Sequence, residues 1–196
     1  MLTKPNILRL VFFVAAFAAA LYYPVNRVLS FERPKEKPVE MRFPVRAYDP
    51  YDPMRGHYLR MTLRNELPMT KEEYDKLKPA PARRTEAAAV LEAGEDGFAR
   101  VVALRPMCDV PADRPFVKAQ MFFRSGKNRT AVVLPFDRYY INEKLAADAE
   151  KLLQKITRDK KRSAVLVVNI YAGGRYAVKD LLVDGKPILQ LLRPAK

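Results

Sequence analysis

Two residue types that carry much of enzyme chemistry are nearly missing from this 196-residue sequence, which has one histidine, His57, and one cysteine, Cys108. Cys108 alone forms no internal disulfide, and with His57 it falls short of the four nitrogen and sulfur ligands of a structural zinc site. A Ser-His-Asp arrangement has only His57 to recruit, and no serine or cysteine nucleophile stands near it. Ser30 sits in Ser-Phe-Glu-Arg with no lysine–arginine strand pair downstream, so a serine–lysine dyad finds no base. Seven glycines leave no room for a glycine-rich phosphate loop. The paired acids Asp49 and Asp52 are the remaining hydrolytic arrangement. The expectation is a protein that is not an enzyme and holds neither cofactor nor metal.

What remains is the chemistry of binding. Arg55-Gly56-His57-Tyr58 follows Asp52, and Arg138-Tyr139-Tyr140 precedes Glu143. Each cluster sets a guanidinium beside phenol rings, a combination suited to a small anion or a partner surface. Asp52, Arg55, Gly56, Tyr58, Arg138, Tyr139, Tyr140 and Glu143 are therefore the candidate ligand or partner-binding residues. A structural role for the same residues stays open. Arg55 then bridges Asp52 or Glu143, the tyrosines pack on a sheet, and Glu143 offsets the macrodipole of a following helix.

The elements that must position them alternate short strands with turn signals. Residues 40–48 and 56–63 read as strands, separated by two Asp-Pro steps that force a rigid turn. Residues 68–78 read as a short helix capped by Thr70, with Glu72 and Glu73 in its first turn. Two hairpins follow, 85–93 with 98–104 and 117–124 with 130–134, and their turns contain residues that tolerate positive φ. The main helix spans 142–158, where Leu145, Ala149, Leu152, Leu153 and Ile156 recur at helical spacing behind an Asn142 cap. A β-branched run over 163–171 leads to Gly173-Gly174, and strand 175–183 turns through Asp184-Gly185 into a strand over 186–191. The sum is an α+β domain of antiparallel hairpins, sheet-dominated, with one main amphipathic helix.

Before that domain lies a different kind of segment. Residues 7–25 carry one charge, Arg9, in an otherwise apolar run that ends in Tyr22 and Tyr23. About 20 apolar residues cross the hydrocarbon core as a helix, and tyrosines belong at its interface. The segment reads as an uncleaved signal-anchor, with a cleaved signal peptide ending in its alanine-rich part as the alternative. The expected organisation is a tail over 1–6, the transmembrane segment over 7–25, a basic proline-rich stalk over 26–40 and the domain over 41–196. Basic residues flank both ends of the span. The acid-free N-terminal tail points to single-pass anchoring in an inner, cytoplasmic membrane with the domain in the periplasm.

Lysine and arginine total 36 against 22 acids, giving a formal +14. Lys4, Arg9 and Arg27 hold +3 of this ahead of Glu32, the first acid, so +11 falls on the rest. Such a body either keeps a solvated basic surface or lies against anionic headgroups. Nucleic acid is not an expected partner of an exported, tethered domain.

Three stretches resemble the GDYXXLXY-domain proteins, a bacterial family of unknown biochemical function named for its motif. They are Asp49-Pro-Tyr-Asp-Pro-Met-Arg-Gly-His-Tyr-Leu-Arg-Met-Thr-Leu63, Phe136-Asp-Arg-Tyr-Tyr-Ile-Asn-Glu143 and Val178-Lys-Asp-Leu-Leu-Val-Asp-Gly-Lys-Pro187. Gly56 and Tyr58 keep the motif, whereas His57, Met61 and Leu63 replace its aspartate, leucine and final tyrosine. The resemblance spans residues 41–191 and implies an N-terminal membrane segment. The expected role is a non-catalytic accessory module at the bilayer, partnered by a multi-span membrane protein. The alternatives are a periplasmic module for a small anion, and a cleaved secreted protein or hydrolase.

Overall fold

The structure, a computed structural model, describes residues 4–32, 37–47, 58–63, 65–77, 85–111, 113–124, 129–159 and 162–192. The chain divides into two compact units, residues 1–37 and 38–196.

The first unit is helix α1 (Lys4–Glu32). Within it, Arg9–Leu29 is long and apolar enough to cross a membrane, and none of that stretch is buried. At about 1.5 Å per residue its 21 residues rise about 32 Å, matching a hydrocarbon core of about 30 Å. The helix continues beyond Val25 into residues expected to form the stalk. Past Pro24 no further proline interrupts it before Pro34, and the Arg27 guanidinium lies 5.2 Å from the Phe31 ring centre one turn later.

The second unit is built from two antiparallel sheets. The six-stranded sheet runs β11-β10-β9-β1-β2-β8, from β1 (Val39–Ala47), β2 (Tyr58–Thr62), β8 (Arg138–Tyr140), β9 (Ala164–Tyr171), β10 (Arg175–Val183) and β11 (Lys186–Pro187). The five-stranded sheet runs β3-β7-β6-β4-β5, from β3 (Asn65–Pro68), β4 (Thr85–Ala93), β5 (Ala99–Arg105), β6 (Phe116–Arg124) and β7 (Arg129–Val133). Helices α2 (Lys71–Leu77), α3 (Glu143–Arg158) and α4 (Ile188–Leu192) complete it.

Alternation decides what each strand buries. On β1, Met41, Phe43 and Val45 point inward while Glu40, Arg42, Pro44 and Arg46 are exposed. Their partners Val168, Leu166 and Ala164 on β9 share the inward face. These residues, the apolar face of the second sheet and Ala149, Leu153 and Ile156 of α3 form one core. Helix α3 starts where expected, because Asn142 accepts the Lys144 N–H at 3.0 Å. Helix α2 opens on a reciprocal cap, with Thr70 and Glu73 each accepting the other's backbone N–H.

The six-stranded sheet curls. Its edge strand β8 comes back toward β10, and the Phe136 ring fills the space between, 4.9 Å from Phe43 and 5.4 Å from Tyr176 between centres. The register of β10 against β9 slips between Val178 and Asp180, which makes Lys179 the extra residue of a bulge. Bulges raise local twist and bend a strand, so Lys179 sits where the curl needs it.

Four elements depart from the expectation. Strand β1 begins at Val39, inside the anticipated stalk, because Val39 and Glu40 pair with Ile170 and Asn169. Strands β3 and β8 were not anticipated. Residues 188–191, read as strand, belong to helix α4. Pro187 offers no N–H to continue the ladder, and the spacing of buried Ile188 with partly buried Leu189 and Leu192 is helical. The turn before them behaves as read, with φ of 48° at Asp184 and 80° at Gly185.

Phe136 is 2% exposed and is the ring on which the curl closes. Phe136→Ala is expected to cost about 3–5 kcal/mol of unfolding free energy. It would be read as a lower denaturant midpoint at unchanged slope, whereas Val133→Ala on the solvent side should change stability by about 0.5 kcal/mol or less.

Candidate functional site

Tyr58, Arg60 and Thr62 are outward positions of β2, and Leu59 and Met61 inward ones. Antiparallel pairing then sets Tyr58 opposite Tyr140, Leu59 opposite Tyr139 and Arg60 opposite Arg138. Pairing carries the separate clusters 58–60 and 138–140 to one place. The Arg138 guanidinium carbon stands 4.8 Å from the Tyr58 ring centre, and the Tyr58 and Tyr140 rings meet at 6.1 Å and 56°. Asp137 completes the group, 3.4 Å from Arg60 and 3.6 Å from Arg138. A hydrogen bond with Tyr140 is the main cause holding the Arg138 pKa above even its ordinary high value, so this guanidinium stays charged.

Beside this cluster the seam between β8 and β10 opens into a cleft of about 700 Å³. Asp137, Arg138, Tyr140, Tyr176 and Lys179 are among the residues that line it. Its base is tied together by two phenols. Tyr176 donates to the Pro135 carbonyl at 2.9 Å, and Tyr139 donates to Asp180 Oδ1 at 3.4 Å. Burial, reinforced by the Asp180 carboxylate, pushes the Tyr139 phenol up to about 12, and burial raises Tyr176 in the same direction. At the rim, a hydrogen bond from Lys179 at 2.6 Å lowers the Glu40 pKa. The arrangement offers a fixed cation on an aromatic platform next to a polar cleft, which is the chemistry of holding an anion or an acidic side chain.

The structure therefore brings Tyr58, Arg138 and Tyr140 together. Tyr139 is adjacent in sequence but lies on the other face, 8% exposed, with its hydroxyl toward Asp180. Glu143 is exposed in the first turn of α3. Asp52, Arg55 and Gly56, like His57 and Asp49, lie outside the described residues. Cys108 is exposed. Among the described residues no three His, Cys, Asp or Glu side chains gather to hold a metal ion.

A family model described as GDYXXLXY protein matches residues 21–181. The chain belongs to the GDYXXLXY family. No curated protein and no solved structure matches it.

Strand β2 shows what the GDYXXLXY motif does in this chain. Met61, at the leucine position, is 2% exposed, and Leu63, at the final tyrosine position, packs partly buried against the core. Both are packing positions, and methionine for leucine nearly conserves volume. Tyr58 is the motif residue that faces the Arg138 cluster. Asp137, Asp180, Lys179, Arg60 and Tyr176 belong to the site and were not among the candidates read from sequence. The available signal for Asp180 was a Lys-Asp pair interrupting the otherwise apolar run Tyr-Ala-Val-Lys-Asp-Leu-Leu-Val.

The Tyr139 shift yields a pH prediction. A phenol raised on folding is held in its protonated form by the fold. Its stabilising contribution is whole below pH about 10 and is lost as pH climbs through about 12. Absorbance titration should show one tyrosine ionising last, together with unfolding, and Tyr139→Phe should remove that step. A single transition near pH 10 for every tyrosine would contradict this placement.

Proposed function

We propose that this GDYXXLXY protein is a non-catalytic module held at the inner membrane by α1, with its domain in the periplasm, and that it acts as an accessory to a multi-span membrane protein. The observation that carries the reading is the unburied apolar length of Arg9–Leu29, which has no place in the domain's core. Two further features support it. The acid-free N-terminal tail fits a signal-anchor, and the Tyr58–Arg138–Tyr140 cluster beside an open cleft has the aromatic and arginine content of a contact surface.

A second reading, a small-anion site, is favoured by the charge of Arg138 held over Tyr58 at the cleft mouth. Both readings use the same side chains and separate by what they hold.

The test uses membranes of the native host. The full chain is expected to stay in the pellet through alkaline carbonate washing, while a chain begun at Lys37 is released. The doubly substituted Arg138→Glu/Tyr140→Ala chain should remain in the pellet yet lose a multi-span protein that co-purifies with the wild type. Release of the full chain by carbonate would remove the anchor, and co-purification unchanged by the double substitution would remove this surface. Titrating inorganic phosphate into both purified chains decides the second reading, which needs binding by the wild type and none by the variant.

A further inference from the structure

The outward face of β1 and β2 is a feature that the cleft does not absorb. Arg42 and Arg46 are exposed on β1, and the pairing of Arg46 with Thr62 puts Arg60 of β2 on the same side. Arg138 on the edge strand β8 and Lys179 on the β10 bulge flank them. Two carboxylates answer these five cations among the described residues. Glu40 is shared by Lys179 at 2.6 Å and Arg42 at 3.5 Å, and Asp137 by Arg60 and Arg138. Counted over the described residues, Arg42, Arg46, Arg138 and Lys179 alone outnumber these carboxylates. The face is also one of guanidinium forks, whose planar donors match phosphate oxygens two at a time.

The chain itself limits what such a face meets most often. Six residues separate Glu32, the end of α1, from Val39, the start of β1. Even fully extended, the seven steps from one to the other span at most about 25 Å. A domain joined to a membrane helix by so short a link meets a bilayer surface at high effective concentration, whatever else diffuses past.

We infer that Arg42, Arg46 and Arg60 form a docking face for the anionic phospholipid headgroups of the bilayer that holds α1. The inference rests on reading α1 as a membrane anchor. Each arginine exchanges loosely held counterions for headgroup phosphates, so the contact depends on lipid charge and weakens with salt.

The experiment uses the full chain in nanodiscs made of phosphatidylcholine alone or of equal parts phosphatidylcholine and phosphatidylglycerol. Thr62→Cys, on the outward face opposite Arg46, carries an environment-sensitive dye, with the exposed Cys108 changed to serine. The expected result is a blue-shifted emission in the anionic discs only. It should be lost in 1 M salt, where the screening length is about 3 Å, and lost in Arg42→Glu/Arg46→Glu/Arg60→Glu. The milder Arg→Gln triple should lose most of the shift, and it decides the question if the reversed variant fails to fold by circular dichroism; a full shift in it would overturn the docking face. Equal emission in the two lipids, or a shift surviving charge reversal, would overturn the docking face while leaving the anchor intact. Failure of the chain to enter discs of either lipid would overturn the anchor and the docking face together. The same blue shift from soluble polyglutamate on neutral discs would assign the face to acidic protein and overturn the lipid assignment.

Discussion

The Phe136 ring, wedged between Phe43 and Tyr176, is the contact on which the domain's geometry turns. A six-stranded antiparallel sheet left open would expose the inward faces of β2 and β8 to water. Filling its concavity with an aromatic ring lets the sheet curl until β8 approaches β10, and the Lys179 bulge supplies the bend. Tyr139 and Tyr176 then reach across the seam to Asp180 and Pro135. Because side chains alternate, curling the apolar face inward presents the arginines of β1 and β2 outward in the same step. The basic face and the cleft are thus consequences of one packing choice.

That choice also explains the family motif in this chain. Met61 and Leu63 both hold packing positions, and at Met61 the replacement of leucine nearly keeps the volume. Tyr58 faces the other way and meets Arg138 and Tyr140. A motif on one short strand therefore carries two kinds of information, a buried alternation that seats β2 in the curl and an outward ring that builds the surface.

Elements whose signals are local were legible from sequence. Helix α3 announces itself through its apolar stripe and Asn142 cap, and β4, β5, β9 and β10 through alternation, β-branching and turn residues. Strands β3 and β8 are four and three residues long, too short for periodicity, and exist because β7 and β2 pair with them. Helix α4 was hidden by a Lys-Pro start that continues a hairpin on paper. For the site, the residue types of Tyr58, Arg138 and Tyr140 were readable, while their convergence was not. It depends on β1 pairing with β9 across more than a hundred residues and on β2 pairing with β8. The opposite fates of Tyr139 and Tyr140 follow from alternation in a strand that could not be recognised beforehand.

The claim that the seam closes as part of the core is tested most directly by amide hydrogen exchange on the full chain in detergent. The Met61 N–H donates to the Asp137 carbonyl at 2.8 Å, just ahead of β8, and so reports on that edge. If the curl is a single cooperative unit, the Met61 amide exchanges as slowly as those of Leu166 and Val168 in the centre of β9. Fast exchange at Met61 with β9 still protected would mean that the edge opens independently, and the surface built on it would lose its support.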